Sequence, residues 1–155
     1  MDRTRSRVLQ EMSNDAPKWL QVASQELGIS EVIGLDNNKR ILMYHSETSL
    51  KAQSDEIPWC SSFVNWVMKQ CHIRGTNSAA ARSWLKWGYE CAPIDGCIVV
   101  MKRGNSETSG HVGFLVGYDD TFIHLLGGNQ SNKVCIQKYP KHEVLGYRWP
   151  FRVVA

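Results

Sequence analysis

The chain has 155 residues, of which 43% are hydrophobic and 21% are charged, a composition that suits one globular domain with its own core. Its formal net charge of +3 comes without a concentrated run of Lys and Arg, so no nucleic-acid partner is expected. No stretch approaches the roughly 20 apolar residues of a membrane-spanning helix, so no membrane span is expected. The basic N-terminus is followed by no apolar segment, which predicts a protein made in the cytoplasm without a signal peptide.

The first part of the chain carries two short helical patterns. Residues 1–15 are polar and are expected to form a flexible N-terminus. A helix is predicted over Ala16–Leu27, because apolar residues recur on one face and Gly28 follows as a stop signal. A second, shorter helix is predicted over Arg40–His45.

Two further helical patterns lie in the middle of the chain. A buried helix is predicted to start after Pro58, which suits a first helical turn, and to end before Gly75. Another helix is predicted over Ser78–Trp87 and ends at Gly88. The buried helix has one face formed by residues at helical spacing, namely Cys60, Phe63, Val64, Val67 and Cys71.

After residue 88 the apolar pattern changes from helical to extended. The predicted strands are Cys97–Met101, His111–Tyr118, Thr121–Leu126, Val134–Tyr139 and Val144–Trp149. Helices followed by an antiparallel meander are typical of the α+β class. We therefore expect a single α+β domain over residues 16–155, with the N-terminal helices packed on the meander.

Cys60 is the candidate nucleophile. It lies in the first turn of its helix, where unpaired N–H groups and the positive end of the helix dipole favour an anion. A thiol in that position is expected to have a pKa below the free value of about 8.5, which makes the sulfur nucleophilic. The alternative is a cysteine that only packs in the core, and a single cysteine does not decide between the two.

His111 is the candidate base for this thiol. It opens a predicted strand between Gly110 and Gly113, so its ring is expected in an open place that the start of the Cys60 helix reaches. The alternative is a histidine at a strand end whose ring is bonded to the backbone.

The residue that orients the His111 ring is predicted from the hairpin register. A three-residue turn that places Tyr118 opposite Phe122 also places His111 opposite Asn129, about 5 Å apart at Cβ. A two-residue turn would direct Asn129 to the other face, and plain turn chemistry is the alternative for the Gly-Gly-Asn segment. His124 is the rival, although in this register it lies roughly 17 Å from His111 along the strand.

Patterns for metal and nucleotide binding are absent from the sequence. It contains no Cys-x-x-Cys, no His-Glu-x-x-His and no phosphate-binding glycine loop, so neither a metal nor a cofactor is expected. Of the other cysteines, Cys71, Cys91 and Cys135 are interpreted as core or strand residues, and Cys97 begins a predicted strand.

Five segments in chain order together resemble the CHAP and NlpC-type cysteine peptidases of bacterial cell walls, in particular their small single-domain branch found as phage endolysins. The segments are residues 58–66, 78–85, 110–117, 126–132 and 145–150. The resemblance implies a papain-like fold, in which a helical bundle carrying the cysteine packs on an antiparallel sheet carrying the histidine. It also implies Cys60 as nucleophile, His111 as base and Asn129 as orienting residue, whereas NlpC-type relatives favour His124 as the third member.

The expected function is a peptidoglycan hydrolase that cuts an amide bond of the cell-wall peptide stem, as a cysteine peptidase or N-acetylmuramoyl-L-alanine amidase. By position, Asp55, Trp59 and Trp84 are expected to line the substrate groove. We expect a monomer that reaches the cell wall after release by a holin or a secretion apparatus, and that serves bacterial lysis. The alternatives are a cysteine protease or transferase acting on proteins, and a non-catalytic envelope-binding module in which Cys60 only packs.

Overall fold

The computed structural model describes residues 16–32, 38–48 and 59–151. The helices in these ranges are α1 (Lys18–Gln25), α2 (Lys39–His45), α3 (Cys60–Gln70) and two 3-10 helices, Ala81–Lys86 and Lys141–Glu143. Three predicted helices are thus found in order, and the predicted helix over Ser78–Trp87 is a shorter 3-10 helix. None of the described helices is long and apolar enough to cross a bilayer. Residues 1–15 lie outside the described residues, so the flexible N-terminus and the domain boundaries stay predictions.

A six-stranded antiparallel sheet occupies the second half of the described chain. Its strands are β1 (Tyr89–Glu90), β2 (Ile98–Lys102), β3 (Gly110–Tyr118), β4 (Phe122–Gln130), β5 (Lys133–Pro140) and β6 (Val144–Trp149). The strand order is β1-β6-β2-β3-β4-β5, which confirms the α+β class. Strands β2 to β5 form the expected meander, but β6 returns to pair with β2 instead of following β5 at the edge.

The sheet has a buried apolar layer on each face. In β2, Ile98 and Val100 belong to the cluster shared with the helices, whereas Val99 and Met101 belong to a smaller cluster on the opposite face. Successive side chains of a strand point to opposite faces, so a strand covered on both sides needs an unbroken apolar run. This requirement explains the continuous apolar pattern of β2.

Helix α3 lies in the larger cluster and is buried along most of its length. Every residue from Cys60 to Met68 is buried, as expected for a helix that other elements cover on several sides. The ring of Tyr44 in α2 lies 5.1 Å from that of Phe63 and 5.2 Å from that of Trp66, measured between centroids. These aromatic contacts hold α3 between α2 and the sheet.

The β3–β4 hairpin turn differs from the predicted register. Tyr118 pairs with Ile123 instead of Phe122, because the Asp119 carboxylate accepts two backbone N–H groups and stabilises a longer turn. The register then shifts by one residue around Val116, which compensates for the longer turn. Closer to the start of β3 the pairs therefore return to the predicted register.

Candidate active site

The thiol of Cys60 lies at the start of α3. Cys60 is the first residue of this 11-residue helix, and the carbonyl of the preceding residue, Trp59, accepts the N–H of Phe63 at 2.9 Å. The first N–H groups of a helix lack partners within the helix and carry the positive end of its dipole. This position favours an anionic sulfur.

The side chain of Trp59 fixes the start of α3 against β4. It is fully buried, and its Nε1–H donates to Oε1 of Glu31 at 2.8 Å. Its ring lies against Gly128, where a Cβ atom would come within 2.6 Å of a ring carbon. Glycine at this position therefore allows the ring to pack directly on the strand.

Ser61 ties the first turn of α3 to the segment around the first 3-10 helix. Its hydroxyl donates to the carbonyl of Ser78 at 2.6 Å and accepts the Nε1–H of Trp84 at 2.9 Å. One turn later, Asn65 donates to the carbonyls of Ser61 and Ser78, each at 3.1 Å. The backbone that carries Cys60 is consequently held on two sides.

His111 is the second residue of β3 and pairs with Met101 of β2. His111 is only 4% exposed, which corrects the expectation of an open position. The Nε2 atom lies 2.8 Å from Oε1 of Gln130 and 3.2 Å from the hydroxyl oxygen of Tyr139. The Nδ1 atom is buried and has no nitrogen or oxygen partner in the described part of the chain, so it is the ring nitrogen left for the Cys60 sulfur.

The pKa of the Cys60 thiol is lowered from its ordinary value. Burial is the largest single influence and acts to raise this pKa, because a low-dielectric site disfavours the thiolate. Hydrogen bonding and charge from the His111 ring, the backbone N–H of Val112 and the charge of Arg103 act in the other direction and together outweigh burial. The structure thus brings Cys60 and His111 together, and the His111 ring shifts the thiol towards its ionised form.

The other cysteines contrast with Cys60. Burial raises the pKa values of Cys71, Cys91 and Cys97, the last to about 12. Among these three cysteines and Cys60, only Cys60 has a lowered pKa. No group of three or more His, Cys, Asp or Glu side chains within residues 16–32, 38–48 and 59–151 is placed to hold a metal ion.

Gln130 at the end of β4 orients the His111 ring. Its Nε2 donates to the carbonyls of Leu125 at 3.1 Å and Cys135 at 2.7 Å, which turns its Oε1 towards the histidine. Because an amide oxygen can only accept, His111 carries its proton on Nε2. The lone pair then lies on Nδ1, where it can accept the proton of the Cys60 thiol.

The prediction that Asn129 orients the ring is corrected, because the residue that contacts the ring is the next one, Gln130. The pairing of β4 with β5 shifts between Gly127 and Gln130, and Asn129 adopts a left-handed φ of 57°. The extra residue brings the side chain of Gln130 to the His111 ring. A Cβ atom on Gly127 would lie 2.8 Å from Oε1 of Gln130, so this glycine leaves the space for the carboxamide.

Tyr139 is a contact of the site that the sequence did not indicate. Its ring centroid lies 5.3 Å from that of His111, and burial raises the pKa of its hydroxyl, which stays protonated. Because β5 pairs with β4 and not with β3, no strand-pairing rule brings Tyr139 to His111. A signal for Gln130 was available, since Gly-Gly-Asn favours a bulge that displaces the next side chain.

The other predicted site residues lie elsewhere. His124 pairs with Gly117 at the turn end of the hairpin, away from the start of β3. Trp59 and Trp84 are both fully buried, so neither ring is available to a substrate and the expectation that they line a groove is corrected. Asp55 lies outside the described residues.

The arrangement defines a class of protein. A cysteine at a helix start, beside a strand histidine whose far nitrogen is held by an amide, is the arrangement of a thiol hydrolase on a papain-like α+β fold. The model of the CHAP domain matches residues 52–129, half of the chain, and this match includes Cys60 and His111. The chain therefore belongs to the CHAP domain family, whose members are generally cysteine peptidases or amidases. No curated protein matches the chain.

Proposed function

We propose that this protein is a peptidoglycan hydrolase that cuts an amide bond of the bacterial cell-wall peptide stem. Membership of the CHAP domain family supports a cysteine-dependent hydrolase of this kind. The observation that carries the proposal is the Cys60 thiol, with its lowered pKa, beside a His111 ring whose Nε2 is held by Gln130.

The reaction proceeds through a thioester on Cys60. The thiolate attacks the carbonyl carbon of the stem amide while Nδ1 of His111 holds the thiol proton. His111 then donates this proton to the amine nitrogen as the carbon–nitrogen bond breaks. Water, deprotonated by the same nitrogen, attacks the thioester and releases the acid and the thiol. Backbone N–H groups at the start of α3, including that of Cys60, stabilise the oxyanion.

Gln130 takes the orienting role that the sequence suggested for Asn129. Its Oε1 accepts the Nε2–H of His111, and this hydrogen bond strengthens when the ring carries a positive charge. The carboxamide is 1% exposed, so it acts on the ring and does not touch the substrate. Gln130 is therefore a positioning residue in this mechanism.

Clearing of a suspension of purified peptidoglycan tests the proposal. The wild-type protein should reduce turbidity, and Cys60→Ala should abolish clearing while circular dichroism shows that it stays folded. Cys71→Ala is the matched control, because it removes a thiol at the other end of α3 and should leave clearing unchanged. A Cys60→Ala variant that clears at the wild-type rate would overturn the mechanism. Binding without clearing by the wild type would favour an envelope-binding module, and cleavage of proteins alone would favour a protease.

The proposal also concerns which amide bond is cut, the oligomeric state of the protein and its route to the cell wall. Mass spectrometry of released fragments separates the muramoyl–alanine amide from peptide bonds of the stem. Light scattering should give the 17.6 kDa mass of a monomer. We propose a role in bacterial lysis after release by a holin or a secretion apparatus, so expression in bacteria should cause lysis only together with such a route. Lysis without one would contradict this part of the proposal.

A further inference from the structure

Arg103 follows β2 directly and lies beside the candidate active site. Met101 pairs with His111, and the next pair, Lys102 with Gly110, is the last of the two strands. Paired residues share a face of the sheet, and side chains alternate along a strand. The Arg103 side chain, two residues after Met101, therefore lies on the same face of the sheet as His111. The Lys102 side chain lies on the opposite face of the sheet.

The turn that carries Arg103 is anchored to the rest of the protein. Arg82 donates from Nε to the carbonyl of Ser109 at 2.7 Å and from Nη2 to the carbonyl of Ser106 at 2.6 Å. The N–H of Ser106 donates to the carbonyl of Arg103 at 3.4 Å, and Gly104 supplies the left-handed φ of 58°. The backbone of Arg103 is thus held in place while its side chain is exposed.

The guanidinium of Arg103 interacts electrostatically with groups around His111. It has no carboxylate partner among the described residues. Its charge interacts with both the Cys60 thiol and the Tyr139 hydroxyl. Within the part of the chain that the structure describes, the ion pairs of arginine and lysine with carboxylates do not include Arg103. A cation at the mouth of a site attracts an anionic group of the substrate.

We propose that Arg103 binds a carboxylate of the substrate next to the amide bond that is cut, an inference that rests on the proposed function. A guanidinium presents its donors in a planar fork that fits both oxygens of a carboxylate. Stem peptides of peptidoglycan carry such groups close to their amide bonds, on the glutamate residue and at the free C-terminus. The two sources share one chemistry, and amidation of one carboxylate at a time separates them.

The experiment measures kcat/KM on three synthetic stem peptides, one with both carboxylates free and two with one carboxylate amidated. Arg103→Ala should lose roughly 10- to 100-fold on the peptides that carry the recognised carboxylate, because a hydrogen bond to a charged group is lost. On the peptide in which that carboxylate is amidated, Arg103→Ala should lose much less, because only the smaller effect of the Arg103 charge on the Cys60 thiol remains. Arg103→Lys should recover part of the loss, since it keeps the charge without the fork.

Lys102→Ala is the matched control, because it removes a neighbouring exposed cation from the opposite face of the strand and should match the wild type on every peptide. An equal loss by Arg103→Ala on all three peptides would overturn the inference, since it would indicate only a general effect on the thiolate, and the proposed function would stand. If the wild type cleaves none of the peptides and clears no peptidoglycan, the proposed function fails and the inference about Arg103 falls with it.

Discussion

Replacing Gln130 with alanine tests whether this carboxamide orients the His111 ring. The Oε1 atom of this side chain accepts from the ring, and its Nε2 donates to the carbonyls of Leu125 and Cys135. A hydrogen bond to a charged group contributes about 1.5–3 kcal/mol, and the ring is charged while it holds the thiol proton. We therefore expect kcat to fall roughly 10- to 150-fold. KM should change little, because Gln130 is too buried to touch the substrate.

The same substitution also lowers stability. The carbonyls of Leu125 and Cys135 lose a buried donor, and each hydrogen bond left unmade in the interior costs about 1–3 kcal/mol unless water replaces the donor. The melting temperature of Gln130→Ala should therefore fall. The kinetic constants of this variant should be measured well below its melting temperature. A reduced kcat under conditions where the variant is fully folded then reports on the ring and not on unfolding.

Asn129→Gly is the matched control for this prediction. The left-handed φ of 57° at Asn129 suits glycine, so the backbone of the bulge is preserved. The assay is the initial rate on a stem peptide, together with the rate at which iodoacetamide modifies Cys60 at neutral pH. The reasoning is refuted if Asn129→Gly loses as much kcat as Gln130→Ala, or if Gln130→Ala keeps the full rate.

Two further predictions follow from the thiol and from the strand glycines. Iodoacetamide at pH 7 should modify Cys60 before Cys71, because a lowered pKa leaves more thiolate at that pH and a raised pKa leaves less; raising the pH should narrow the difference as Cys71 ionises. Peptide mapping by mass spectrometry measures both rates, and equal rates at pH 7 would contradict the lowered pKa. Gly128→Ala should lower the free energy of unfolding by about 1–3 kcal/mol, because its Cβ atom would overlap the buried ring of Trp59. Gly117→Ala, whose Cβ atom would meet no atom closer than 3.7 Å, is the control in denaturant unfolding, and an equal loss in both variants would count against this packing.

Local rules account for what the sequence predicted well. The spacing of Cys60, Phe63 and Val64 follows the period of a helix, and a helix start is a property of a few consecutive residues. The alternation in β3 likewise reports which side chains share a face. Nucleophile and base are therefore proposed from short segments, and the fold needs only to bring those segments together.

Features that depend on distant contacts were not predicted. β6 pairs with β2 and not with β5, a choice between two sheet edges that neither strand pattern encodes. Trp59 and Trp84 resemble groove residues by position, but both rings are buried and their indole N–H groups donate to side-chain oxygens of Glu31 and Ser61. A tryptophan next to a nucleophile in the sequence can thus serve to hold the helix and not to hold the substrate.

The Gly-Gly-Asn-Gln segment joins two interpretations that the sequence presented as alternatives. Plain turn chemistry explains Asn129, whose left-handed φ creates the bulge, and the site explains Gln130, whose carboxamide reaches His111 because of that bulge. Gly127 leaves room for the carboxamide and Gly128 leaves room for the Trp59 ring at the start of α3. The same short segment therefore sets the ring of the base and the position of the nucleophile. A change of backbone at either glycine should disturb both members of the pair, even though neither glycine bears a reacting atom.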